Sequence, residues 1–292
     1  MVCILELKTT QSVHIRTLID SLSSLLNDIS IHFYPPVIKG KKTDSEERTG
    51  GVEIKEINKT STLLIHCKLD ADKFDTYNYN HKAEKLTIGI NLHNFLKCIK
   101  CMTNCDIMTW KIDSDDMNKL VMILESANEK KTFKINLMEL EVMDLEIEPV
   151  KFPYQAIMPT QDFQTYCKNM YNAATEGKMD LKCISNALLM SGSGELGVIE
   201  FEVLASNNNS GLIIKKDASV LNEGKKNNSD IVQGRFELKY LITFTKCSNM
   251  CTHLSLYFKK KYPLIVEYKV STLGLIKFAL SPCKSDNNDE TE

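Results

Sequence analysis

Cys98, Cys101 and Cys105, with Cys247 and Cys251 in the second half of the chain, are the side chains best suited to hold a soft metal, because closely spaced thiolates suit zinc or an iron–sulfur cluster. The histidines at 14, 32, 66, 81, 93 and 253 are scattered, and no pair of them completes a ligand set. Cys101 and Cys105 recur at Cys247 and Cys251, as small buried core residues do, so neither a metal nor a cofactor is expected. Residues 192–197 (GSGELG) satisfy the G-x-G-x-x-G string, but the segment after them alternates as a strand. A dinucleotide site needs a helix there, with its amides at the pyrophosphate, so the glycines are expected to make a tight hairpin. No Ser-His-Asp order, H-E-x-x-H pattern or Walker loop occurs, and nothing supports an enzyme. Cations remain: His93, Lys97 and Lys100 fall at i, i+4 and i+7, one face of a helix, and Lys239, Thr243 and Lys246 repeat the arrangement. Lys168 adds a further one. Lysines on one helix are most often a solvated face, but recurrence on several helices facing one way would make a stripe that meets phosphates without reading bases.

The elements that must carry these cations come in two copies. The 23 residues from Ile90 align without gaps on the 23 from Phe236, 146 residues further on: Leu92 meets Leu238, Leu96 meets Ile242, Lys100 meets Lys246 and Met108 meets Leu254. A second pairing sets Ile15, Leu18, Ile19 and Leu22 against Phe163, Tyr166, Cys167 and Met170. Each half therefore holds two short amphipathic helices. Alternating or β-rich runs at 4–7, 63–69, 86–90, 107–112, 119–124, 133–137, 198–203 and 264–270 make strands dominant. The expected class is α+β with antiparallel sheets.

Composition fits this plan. The 292 residues are enough for two similar domains, and 43% hydrophobic content with 12 Gly and 7 Pro excludes collagen-like and wholly disordered chains. The net charge of −2 does not by itself announce a nucleic-acid binder. No apolar run is long enough for a membrane span, and Glu6 and Lys8 interrupt the only N-terminal stretch that could begin a signal peptide, so an intracellular chain with reduced thiols is expected. Expected boundaries are an N-terminal domain at 1–142, an acidic, proline-bearing connector at 143–153, a C-terminal domain at 154–284 and a disordered acidic tail at 285–292. Segments 35–51 and 206–229 are expected to be exposed mobile loops.

Six segments then resemble one family, the proliferating cell nuclear antigens, the eukaryotic-type DNA sliding clamps: FDTYNYN at 74–80, IGINLHNFLKCIKC at 88–101, LMELEV at 137–142, SGSGELG at 191–197, LKYLITFTK at 238–246 and PLIVEYKV at 263–270. The resemblance covers the chain from Ile4 to Pro282 and includes a divergent or viral member of the family. It implies a clamp fold, two alike domains each with outer sheets and two inner helices, and three subunits closing as a ring around double-stranded DNA. It also implies a non-catalytic processivity factor in replication and repair, an ATP-dependent clamp loader, DNA polymerase and other partners that bring a clamp-binding peptide motif, no membrane, and a place in the nucleus or a viral replication compartment.

Carried over residue by residue, Lys97, Lys100, Lys168, Lys239 and Lys246 match the family's channel-facing basic positions, and Arg16 matches one on the first helix. Thr17 and Ser23 stand where lysines are usual, which implies a weaker grip from that helix. Leu145 and Ile147 of the connector would form one wall of the peptide pocket and Pro263 and Pro282 the other, with Ala279 where a tyrosine is usual. The subunit interface would pair residues around 133–137 with 193–201 of a neighbour, through Phe133, Ile135, Gly194, Leu196 and Ile199. Ser185 occupies the place of the lysine used for ubiquitin attachment. A subunit of a heteromeric checkpoint-type ring and a monomeric DNA-binding processivity subunit are the alternatives.

Overall fold

The structure is a computed structural model that describes residues 2–36, 50–103, 107–141, 145, 147, 149–184, 186–195, 197–206, 211–217 and 232–283. Its first half runs β1 (Cys3–Thr9), α1 (Ser12–Ser23), β2 (Asp28–Tyr34), β3 (Gly51–Ile57), β4 (Leu63–Asp70), β5 (Thr76–Tyr79), β6 (Leu86–Asn91), α2 (Leu92–Lys100), β7 (Ile107–Asp113), β8 (Lys119–Glu125) and β9 (Lys130–Asn136). The second half runs β10 (Tyr154–Pro159), α3 (Thr160–Ala173), β11 (Lys178–Cys183), β12 (Ala187–Gly194), β13 (Gly197–Leu204), β14 (Ile213–Lys216), β15 (Val232–Glu237), α4 (Leu238–Phe244) with a 3-10 turn at Thr245–Asn249, β16 (His253–Phe258), β17 (Leu264–Val270) and β18 (Gly274–Leu280). No helix among the described residues is long and apolar enough to cross a membrane.

The two halves share one topology. The order β5-β1-β7-β8-β9 in the first is answered by β14-β10-β16-β17-β18 in the second, and β6-β2-β3-β4 by β15-β11-β12-β13. Every pairing between named strands is antiparallel, as alternating one-face burial requires. In β4, for instance, Leu63, Ile65, Cys67 and Leu69 are buried while the residues between them are half-exposed. The four α-helices among the described residues lie on the buried sides of these sheets. Ile15, Leu18, Ile19 and Leu22 of α1, Leu92, Phe95, Leu96 and Ile99 of α2, Phe163, Cys167 and Met170 of α3, and Leu238, Leu241 and Phe244 of α4 are buried in the core.

One junction joins the halves into a nine-stranded sheet: β18 pairs with β4 over seven residues, from Gly274 opposite Leu69 to Leu280 opposite Leu63. Gly274 is required there, because a Cβ would collide with the Lys68 carbonyl oxygen. The hairpin expected at 192–197 also forms, with Gly194 opposite Gly197 across a two-residue loop and Gly197 at φ 111°. Two expectations need correction. Segment 206–229 is not wholly a loop, since β14 lies within it, pairs with β10, and follows a buried Leu212. Cys101 is exposed at the end of α2, whereas its counterpart Cys247 is fully buried and donates to Ser21 Oγ at 3.2 Å, so the repeated cysteines do not share one environment. Residues 37–49, Cys105, Ser185 and 284–292 fall outside the described residues.

Candidate nucleic-acid and peptide-docking surfaces

The helices form one row. α2 packs beside α1, α1 beside the 3-10 turn after α4, and α4 with that turn beside α3. Two hydrogen bonds stitch the middle of the row across the two halves: Lys246 Nζ donates to Ser24 Oγ at 2.6 Å, and Cys247 Sγ to Ser21 Oγ. Because each helix buries one stripe, the opposite stripes share a single surface.

The expected cations are not equivalent on it. Lys97 and Lys100 are exposed in the last turn of α2, where the helix dipole favours positive charge, and Lys168 is exposed on α3. None of the three meets an acidic partner among the described residues. Arg16 is half-buried on α1. The neighbouring α1 hydroxyls turn back to their own helix, Thr17 to the Val13 carbonyl and Ser23 and Ser24 to that of Asp20. Lys246 is exposed but tied to Ser24, and Lys239 is paired with the Glu237 carboxylate, which holds its ammonium above the ordinary range. Lys239 also lies 4.9 Å over the Tyr240 ring at the rim of a cavity of about 490 Å³ that includes Asp28, Glu56 and Asn58. Burial alone would raise the Tyr240 phenol; hydrogen bonds from Thr60 and Thr62 and the adjacent Lys239 bring it below its usual value. A cation absent from the sequence reading, Lys131, donates to the Cys101 carbonyl at 3.1 Å and so caps α2.

The second surface is the outer face of the nine-stranded sheet where the halves meet. Ala279 stands opposite Ile265 on β17 and Leu64 on β4, and Leu64 opposite Ile57 on β3, while Ile265 stands opposite Tyr257 on β16. These are half-buried, a continuous apolar row on the side facing away from the helices. Pro263 precedes β17 and Pro282 follows β18, so antiparallel pairing sets both at the same end of this hairpin, where Ser281 donates to the Thr62 carbonyl. Of the connector, Leu145 is half-buried and Ile147 is 41% exposed. Its far end reaches the row: the Phe152 ring lies 5.7 Å from that of Tyr257, beside a cavity of about 370 Å³ with Val150, Gln155 and Lys215. Leu64, Ile265 and Tyr257 were not among the expected wall residues. Their signal was apolar residues on the wrong parity, as in Leu63-Leu64-Ile65.

The third feature is two open sheet edges. Among the described residues β9 has only β8 beside it and β13 only β12. Phe133, Ile135 and Ile199 are half-buried against the core from these edges. Gly194 lies one strand inward, on β12, where a Cβ would meet the Ala173 carbonyl oxygen at 2.6 Å, so the edge begins at Gly197 rather than at 193. Leu196 is outside the described residues. Among the described residues no cluster of three or more histidine, cysteine or acidic side chains is arranged to hold a metal ion.

The chain is similar in sequence to known proteins over nearly all of its length. The N-terminal-domain model of proliferating cell nuclear antigen matches residues 4–149 and the C-terminal-domain model residues 146–283. A probable DNA polymerase sliding clamp 1 of Paramecium bursaria Chlorella virus 1 is 25% identical over 285 residues, covering 96% of this chain and 97% of that protein. A probable DNA polymerase sliding clamp of Acanthamoeba polyphaga mimivirus is 23% identical over 310 aligned positions, covering 97% of this chain and 63% of its own length. With both domain models matched in order over the two structural halves, this chain belongs to the proliferating cell nuclear antigen family.

Proposed function

We propose that the chain is a DNA sliding clamp, a non-catalytic processivity factor that closes as a homotrimer around duplex DNA and tethers DNA polymerase during replication and repair. The observation that carries this reading is the row of four described helices with its exposed stripes on one surface, where Lys97, Lys100 and Lys168 meet no acidic partner among the described residues. Such a surface holds phosphates by charge alone and carries no base-reading geometry, so it permits sliding, while enclosure prevents release. Opening and closing the ring is work for an ATP-dependent loader, and the site of action is wherever the DNA is copied, the nucleus or a viral replication compartment.

Within the ring, β9 of one copy pairs with β13 of the next, two open edges of seven and eight residues that would otherwise be exposed. The apolar row through Leu64, Ala279 and Ile265, with Leu145, Ile147, Pro263 and Pro282 at its margins, receives the partner's peptide and raises the effective concentration of polymerase at its template. Without the tyrosine usual at Ala279, the row is flatter and accepts a bulkier aromatic anchor. The unequal cations put the grip on α2 and α3, the two ends of the row, with α1 contributing little.

Replacing Lys97, Lys100 and Lys168 by glutamate together is expected to abolish stimulation of polymerase on a primed circular template, with solution mass unchanged. Stimulation equal to that of the unmodified chain would remove the helix row as the DNA-facing surface. Glutamate at Lys239 alone is expected to change stimulation far less, since that charge is already neutralised by Glu237.

A further inference from the structure

The junction inside the chain is a template for the one between copies. Stepping across the hydrogen-bonded registers, Leu86–Phe33–Val52–Leu69 in the first half matches Val232–Cys183–Leu188–Val203 in the second. Likewise Met108–Leu124–Lys131 matches Leu254–Tyr268–Ile276. So β9 occupies the place of β18, with Lys131 where Ile276 stands, and β13 the place of β4, with Phe201 where Cys67 stands. Inside the chain Ile276 pairs with Cys67. The same geometry between copies sets Lys131 opposite Phe201, hence Lys130 opposite Glu202, Thr132 opposite Glu200, and Phe133 opposite Ile199.

That register agrees with burial at the five pairs from Lys130 opposite Glu202 to Lys134 opposite Val198. Phe133 and Ile135 on β9, and Ile199, Phe201 and Val203 on β13, are half-buried on the side toward the core. Lys130, Thr132 and Lys134, and Glu200 and Glu202, are exposed on the other. The outward charges are also of opposite sign on the two edges. β9 presents Lys130 and Lys134 and no acidic residue; β13 presents Glu200 and Glu202 and no basic one. Lys134, Glu200 and Glu202 have no ion-pair partner among the described residues, and Lys130 has only Glu125 at 3.4 Å, both largely exposed.

Resting on the ring reading above, we infer that a second copy of this chain is selected by charge. Lys130 faces Glu202 of the neighbour directly, and Lys130 and Lys134 flank its Glu200, so the pair of edges is attractive in this register and head-to-tail sense only. Two β9 edges, or two β13 edges, would set like charges opposite each other, which is destabilising, so the pairing is heterologous and runs around a ring. Because these pairs remain at a solvent-exposed rim, salt weakens them.

The experiment is solution mass by light scattering through a dilution series, for the unmodified chain at low and high salt and for four variants: Lys130→Glu, Glu202→Lys, both together, and a mismatched pair of Lys130→Glu with Glu195→Lys. Both single variants are expected to raise the dilution midpoint by roughly tenfold, a gain of one repulsive contact at the expense of one attractive contact at each junction. The matched double variant is expected to return to within about threefold of the unmodified chain, and the mismatched pair is not. High salt shifts the unmodified midpoint the same way as the single variants and requires no substitution, so it decides the matter should a variant fail to fold. A ring whose midpoint ignores salt and both single variants, or that is rescued equally by the mismatched pair, overturns the charge-set register while the ring stands. A monomer at every concentration overturns the ring reading itself, and the inference with it.

Discussion

The closed junction at β4–β18 and the open edges β9 and β13 are the same two positions of the repeated plan, finished differently. At the closed one, Ile276, Phe278 and Leu280 are buried against Cys67, Ile65 and Leu63, and the Phe278 ring stacks on Phe244 at 4.4 Å and 11°. At the open one, Phe133 fills the place of Phe278 but is only half-buried. Burial that the chain completes for itself is permanent, whereas burial left for a neighbour is reversible and tunable. The largest expected effect tests this contrast. Phe278→Ala is expected to destabilise the lone chain by about 3–5 kcal/mol, whereas Phe133→Ala costs it about 1 kcal/mol and instead disperses the assembly. Chemical denaturation of both variants below the assembly midpoint measures the difference; equal losses would erase the distinction between the two junctions.

A smaller effect comes from the strands that brace the closed junction. Glu53 on β3 receives His66 Nε2 at 2.9 Å and lies 3.3 Å from Lys55. Burial alone would raise its carboxyl, but the hydrogen bond from His66 and the adjacent Lys55 outweigh it and hold the group at about 2. A depressed carboxyl stabilises the fold fully above its ordinary value of 4.5, and that contribution is lost as pH falls through about 2. The unfolding free energy of the lone chain is therefore expected to drop by about 3 kcal/mol across that window from this group. Glu53→Gln is expected to flatten the drop. An unchanged slope would mean that the brace contributes nothing to the closed junction.

How much of this was legible depended on whether the signal was local. Alternating or β-rich runs announced β1, β4, β8 and β13, and the matched stripes of α2 and α4 announced both the helices and the repeat. β14 was hidden because two isoleucines, Ile213 and Ile214, sit in a stretch rich in Asn, Lys and Gly, and only pairing with β10 makes them a strand. The β4–β18 pairing joins residues roughly two hundred positions apart, and no local pattern specifies it. On the helix row, sequence spacing found the cations but not their partners: Lys239 is captured by Glu237 across the start of α4, and Lys246 by Ser24 of the other half. For the peptide surface, the wall residues came from resemblance, while Leu64 and Ile265 needed the register.

The outer rows of the two junctions differ as much as the inner ones, and the proposed docking of a partner peptide turns on that difference. The closed junction sets Leu64, Ala279 and Ile265 outward, and the open edges set Lys130, Lys134, Glu200 and Glu202 outward. A peptide with apolar and aromatic anchors gains from the first and pays desolvation at the second. Serine at Leu64 and Ile265 is expected to abolish binding of a polymerase-derived clamp-binding peptide by calorimetry. The cost to chain stability should be about 1 kcal/mol or less per site, because both side chains are already half-exposed and leave no sealed cavity. Glutamine at Lys134 should leave peptide affinity unchanged. If Lys134→Gln lowers affinity as much as the serines do, the peptide spans the boundary between copies, and the closed junction alone does not form the docking site.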